Sequence, residues 1–228
     1  MLELLLSVTI VIVTVLVYLG MTRIYRHFPI PFLLPVLTTT IVMIICIKLS
    51  NLSFDAYMLG GRWLNELLGP AVVAFAYPLY QQRKMIVKYA IPILTGVFIG
   101  LLTGMVTIFL FAKWLVLPKE MILSLIPKSI TTPVAMQMSS VIGGTPSLTV
   151  AFVMIAGISG AILGPIVLKW FRIDSLLGTG IGLGSASHAI GTSKAYEYGE
   201  FTVSMSSVSM TISAIVGPIV GFFISLLL

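Results

Sequence analysis

Two stretches of the chain carry polar groups where their surroundings are apolar. The first runs Leu125-Ile-Pro-Lys-Ser-Ile-Thr-Thr-Pro-Val-Ala-Met136 and is followed by Ser139, Ser140, Gly143 and Gly144. Pro127 and Pro133 each remove a backbone donor and disfavour helix at the preceding residue, and Gly143 and Gly144 add a second break. Lys128, Ser129, Thr131 and Thr132 supply one ammonium and three hydroxyls, and an anionic ligand or a buried carboxylate would offset the cost of the ammonium at membrane depth. The second stretch is Gly178-Thr-Gly-Ile-Gly-Leu-Gly-Ser-Ala-Ser-His-Ala-Ile-Gly-Thr-Ser-Lys194. Its glycines, Gly182 and Gly184 among them, are poor helix formers and permit close backbone approach. If helix resumes near Ser187, His188 and Thr192 stand one turn apart beside Gly191, as do Lys194 and Glu197. His188, Lys194 and Glu197 are the groups available to couple a proton, the imidazole because its ordinary pKa is near neutrality.

Each group also has a plainer reading. Lys128 can snorkel to an interface, His188 can be a hydrogen-bonded packing residue, and Lys194 with Glu197 can be a helix-end ion pair. Thr131 and Thr132 can bond their own helix carbonyls.

What must hold these groups in place follows from composition. Of 228 residues 58% are apolar, and 13 basic plus 7 acidic residues make only 9% charged, against about 25% in a soluble domain. A globule of this length cannot bury that much apolar surface within itself, so lipid is the solvent for the excess. The formal charge of +6 is scattered singly or in small groups between apolar runs. That is a topology signal and not a nucleic-acid surface.

About 20 apolar residues cross a bilayer as a helix, and the sequence divides into seven or eight such pieces: 2–22, 29–48, 60–80, 88–114, 119–141, 146–170, 176–197 and 201–228. The expected fold is all-α, a polytopic membrane protein forming one domain over 1–228, with discontinuous or re-entrant helices. Trp63, Trp114 and Trp170 fall at piece ends, where amphipathic rings favour the interface. The apolar run Leu4 to Leu19 follows Glu3 instead of a basic segment and precedes Arg23 and Arg26, which reads as a retained first span. If all eight pieces cross, basic residues divide five against six and give no orientation. If 119–141 enters and leaves on one face, Arg23, Arg26, Arg83, Lys84, Lys88, Lys169 and Arg172 share a side against Lys48, Arg62, Lys113 and Lys119. The positive-inside rule then places the N-terminus outside.

Gly96, Gly100 and Gly104, and likewise Gly160 and Gly164, recur every fourth residue, a spacing that lets helices approach closely within the chain or between subunits. Gly-Pro-x-Val at Gly69, Gly164 and Gly217 suggests duplicated architecture, with 60–80 corresponding to 176–197. Cys46 is the single cysteine, so no internal disulfide or cysteine metal cluster is expected. With His27 and His188 the only histidines, and neither His-Glu-x-x-His nor Gly-x-Ser-x-Gly present, no catalytic residues, metal or cofactor are expected.

The motifs Gly60-Gly61, Leu68-Gly-Pro-Ala71, Ala76-Tyr-Pro-Leu-Tyr80, Pro127-Lys-Ser-Ile-Thr-Thr-Pro-Val-Ala135, Gly143-Gly-Thr-Pro-Ser-Leu-Thr149, Gly157-Ile-Ser-Gly-Ala161 and Ser187-His-Ala-Ile-Gly-Thr192 together resemble the LrgB/CidB family of bacterial membrane proteins. They stand in family order over nearly the whole chain. Ala189 replaces a frequent Gly and Lys194 a frequent Arg, neither change removing polar chemistry. The resemblance implies a multi-pass protein of the bacterial plasma membrane, described as antiholin-like, paired with a small holin-like LrgA/CidA-type protein and linked to murein hydrolase export, autolysis and cell death. Similar proteins are associated with transport of small monocarboxylates such as pyruvate, glycolate or glycerate, and the family is grouped with secondary transporters having crossed, interrupted helices. Two functions are therefore expected of the chain. One is passage of a 2-oxo or 2-hydroxy monocarboxylate between the interrupted segments; the alternative is antiholin-like regulation through the partner, in a homo-oligomer.

Overall fold

The computed structural model describes residues 2–28, 30, 33, 35–74 and 76–228 and is all-helical, with no strand among them. It divides into two compact units, residues 1–71 and 72–228. In the first unit lie α1 (Leu2–His27), α2 (Pro35–Leu49) and α3 (Phe54–Glu66). Ser53 caps α3 by accepting from the Ala56 amide at 3.2 Å, the usual way of satisfying an orphan donor. A Cβ at Gly60 would lie 2.6 Å from the Ser7 carbonyl oxygen, so α3 packs backbone-close on α1.

Short helices α4 (Leu68–Ala74), α5 (Ala76–Gln81) and α6 (Arg83–Lys88) lead into the second unit. The 60–80 piece is thus the end of α3 followed by two short helices, not one rod. The second unit continues with α7 (Ala90–Trp114), α8 (Lys119–Leu125), α9 (Thr132–Ile142), α10 (Pro146–Trp170), α11 (Leu176–Ala195) and α12 (Glu200–Ser225). Four helices among the described residues, α1, α7, α10 and α12, are long and apolar enough to cross a membrane.

Contacts in the second unit fix the relative directions of α7, α10, α11 and α12. Gly96 of α7 faces Ile181 and Gly100 faces Ser185, so the first part of α11 runs parallel to α7. Gly180 faces Thr202 and Met205, and Gly184 faces Ser206, so α12 is parallel as well. The Tyr89 and Phe201 rings meet edge to face at 5.8 Å where α7 and α12 begin. Lys113 Nζ reaches the Leu227 carbonyl at 3.4 Å where they end. Gly157, Gly160 and Gly164 of α10 meet His188, Ser187 and Leu183 in that order, so α10 is antiparallel to the others.

Both polar stretches are hairpins. Beyond α8 the chain makes one 3-10 turn, Ile126–Ser129, passes through extended Ile130 and Thr131, and returns as α9. Pro133 stands in the first turn of α9, where its missing amide costs no bond. Gly143, at φ 89°, ends α9 in the left-handed cap that glycine favours. Thr145 then donates from its amide to Ser124 Oγ at 2.7 Å and from its hydroxyl to Glu120 Oε1, closing the hairpin at the Lys113 end.

The second hairpin is α11 itself. The expected run through 176–197 is interrupted not at Gly182 or Gly184, which lie in helix, but at His188, with φ 43° and ψ −132°. A Cβ at Gly191 would overlap the Leu183 carbonyl oxygen, whereas eight residues of straight helix would separate them by about 12 Å. Gly184 and Thr192 both touch Ser206, so residues 189–195 fold back beside 176–187. The pair alike in form is therefore 119–142 and 176–195, entering from opposite ends, rather than 60–80 and 176–197.

Candidate functional site

The hairpin tips meet halfway along the long helices. Gly104, near the middle of α7, faces Ser129 Oγ at 3.7 Å from a built Cβ, and Gly157, at the middle of α10, faces His188. The glycine row of α7 is thus used inside the chain, against Ile181, Ser185 and Ser129. At Gly160 a Cβ would overlap Ser187 Oγ and lie 3.0 Å from Ser187 Cβ, so the second tip packs closely on α10 here.

Beside the tips, and along α10 from Phe152 to Leu168, lies a cavity of about 610 Å³ that is open where Ile155, Ser159, Leu163 and Val167 are exposed. Lys128 and Leu125 line it from the first hairpin, Gly182, Leu183, Ala186 and Ser187 from the second, and Phe152, Ser159 and Gly160 from α10. Lys128 Nζ donates to Ser129 Oγ at 3.1 Å. Among the described residues the one ion pair is Lys194 with Glu197, at 2.6 Å, so Lys128 has no carboxylate partner there. An ammonium at mid-bilayer costs about 2.5–3.5 kcal/mol on insertion scales, and an anion in the cavity would offset it. Ser187 is buried, makes no side-chain hydrogen bond among the described residues, and lines the same space.

The other candidates have different settings. His188 donates from Nε2 to the Val153 carbonyl at 3.1 Å, which makes Nε2 the protonated nitrogen and ties the second tip to α10. Thr192 donates to the His188 carbonyl at 3.0 Å and shares a 2.9 Å hydrogen bond with Ser206, so with Gly191 it holds the hairpin closed. Thr131 is buried at the first tip and Thr132 half-buried; neither hydroxyl bonds a helix carbonyl among the described residues. Lys194 and Glu197 pair at the hairpin's outer end, with 59% of the Glu197 side chain exposed, and neither lines the cavity.

Sequence reading passed over the contribution of α10. Phe152, Ala156 and Ser159 look like part of an ordinary span, yet they form one wall. The available signal was the density of small residues, Ala156, Gly157, Ser159, Gly160, Ala161 and Gly164, on a helix otherwise rich in Ile, Leu and Val.

Residues 14–226 match the model of the LrgB-like family. The chain belongs to that family. A Bacillus subtilis (strain 168) relative named YxaC is 57% identical over 215 residues, 94% of each chain. The holin-like protein CidB of Staphylococcus epidermidis is 36% identical over 217 residues, 95% of each chain. CidB of Staphylococcus aureus is 34% identical over 209 residues, 92% of this chain and 91% of its own. No solved structure matches. Family membership and the four apolar helices make this LrgB-like chain a membrane protein.

Proposed function

We propose that this LrgB-like chain is a holin-like regulator in a bacterial plasma membrane, governing murein hydrolase release and autolysis together with a small LrgA/CidA-type membrane partner, as a homo-oligomer. One observation carries this reading: identity of 34–36% to holin-like CidB proteins over more than nine-tenths of both chains. Deleting the gene and restoring it should change, then return, the rate of detergent-induced lysis and the hydrolase bands in zymograms of the medium. Unchanged lysis and unchanged bands reject it.

A second reading is favoured by Lys128, a cation without a carboxylate partner on the wall of a cavity beside two interrupted segments. In this reading the hairpins are re-entrant, their tips lie at the midplane, and a small 2-oxo or 2-hydroxy monocarboxylate crosses between them. Lys128 attracts the carboxylate, Ser187 and Ser129 orient it, and His188 holds the second tip on α10. Purified protein in liposomes should take up such acids, and Lys128→Gln should abolish uptake while leaving the unfolding midpoint in place. Absence of uptake, with the partner present or omitted, rejects transport.

A further inference from the structure

We infer that the groove along α10 takes a long-chain monocarboxylate from the bilayer, its carboxylate at Lys128 and its hydrocarbon tail against the exposed face of the helix. Lys128 is shared with the transport reading, but this ligand requires no solute to cross.

The groove opens sideways. α10 is one of the helices long and apolar enough to cross a membrane. Ile155, Ser159, Leu163 and Val167 recur every fourth residue along it, line the cavity and are exposed. That spacing makes one stripe, about 18 Å long from Ile155 to Val167. With α10 spanning the membrane the stripe meets lipid, so a tail enters the groove without passing through water. Small residues leave the room: Ala156 of α10 and Gly182 and Ala186 of α11 line the space, and a Cβ at Gly182 would meet nothing within 4 Å.

The lining sets the character of the occupant. Only Lys128, Ser159 and Ser187 bring polar side chains to a cavity of about 610 Å³; the remaining walls are aliphatic, aromatic or glycine. A three-carbon acid at Lys128 would leave most of that apolar wall facing water, which a tail covers.

Charge separates this occupant from a protein helix. Lys128 has no carboxylate partner among the described residues. A second copy of the chain would not bring one, because all seven acidic residues lie in the first or last turn of a helix or in the connections between helices. An apolar helix in the groove would cover the walls and leave the ammonium unpaired in a low dielectric. A tailed carboxylate does both tasks: it accepts from Lys128 Nζ and from the Ser187 hydroxyl, while its tail replaces lipid along α10. The tail gains little on leaving lipid of equal polarity, so the ammonium supplies the selectivity and the tail supplies the route.

The test is photolabelling. Purified protein in phosphatidylcholine nanodiscs is irradiated with a palmitate analogue carrying a mid-chain diazirine, and labelled residues are mapped by peptide mass spectrometry. Label should concentrate on α10 between Phe152 and Leu168 and on residues 182–187. Lys128→Gln should lower it about tenfold, the effect of losing a hydrogen bond to a charged group. Leu163→Trp, which fills the groove and keeps the lysine, should lower it as well; gel filtration selects folded protein for both. Unlabelled palmitate should displace the probe, whereas equal concentrations of hexadecanol, with the tail and no charge, or of pyruvate, with the charge and no tail, should not. Label spread evenly over the lipid-facing helices, label unchanged by both variants, or displacement by hexadecanol or pyruvate overturns the inference. In a Cys46→Ser background Ser159→Cys should stay unlinked under oxidation in native membranes, and efficient disulfide pairing would seat a second copy in the groove and overturn it too. Selective labelling without uptake of small acids rejects transport alone, and uptake with unselective labelling rejects the groove ligand alone.

Discussion

Adding one methyl group at two positions of the same helix should have opposite effects. Gly182 and Gly184 are two residues apart in α11, yet a Cβ at Gly182 meets nothing within 4 Å, whereas at Gly184 it would overlap the Ser206 carbonyl oxygen and lie 2.8 Å from Ser206 C and Cα. Both substitutions to alanine gain about 0.8–1.0 kcal/mol of helix propensity. At Gly184 the obstacle is backbone, which cannot rotate aside, so α11 and α12 must separate; overpacking of this kind costs about 1–3 kcal/mol or more. Gly182→Ala should therefore raise stability by up to about 1 kcal/mol, and Gly184→Ala should lower it by up to about 2 kcal/mol net; the propensity gain is common to both, so the gap is the overpacking cost itself, about 1–3 kcal/mol. Reversible unfolding in mixed detergent, followed by helical circular dichroism, measures both. Midpoints that coincide, or Gly184→Ala as the more stable variant, would refute the parallel approach of α11 to α12 on which the second hairpin rests.

Thr149→Val keeps shape but removes the hydroxyl that joins Ser124 and Ser139, and should cost about 1–2 kcal/mol, since hydrogen bonds inside membrane proteins are worth about 0.6 and at most about 1.7. A double-mutant cycle with Ser139→Ala should show coupling, and strict additivity would count against the 2.7 Å contact. Glu197→Gln, at an exposed pair, should change stability by no more than about 0.5 kcal/mol and leave uptake unaltered, whereas loss of uptake would give Glu197 a part in proton coupling.

Much of the chemistry was legible before the coordinates. Pro127, Pro133 and Gly143 mark the first hairpin because each forbids or ends helix locally. The second hairpin was harder to read. Its glycines suggested a break, but glycine tolerates helix when a neighbouring backbone fills the space, as Ser206 does at Gly184. The turn falls instead on His188, whose φ of 43° and ψ of −132° lie outside the regions open to most L-residues, held there by the Val153 carbonyl thirty-five residues away. No local pattern announces such a partner.

Composition by itself determined that lipid is the solvent, because charged residues are too few and apolar residues too many for a chain of this length to hide from water. Local backbone chemistry determined where one helix must stop. Only tertiary structure decided that residues 176–195 turn back, that the two tips meet at mid-length of α7 and α10, and that an ordinary-looking span, α10, forms the cavity wall. Those outcomes depend on which backbones approach one another, and that is settled by contacts between residues far apart in the chain.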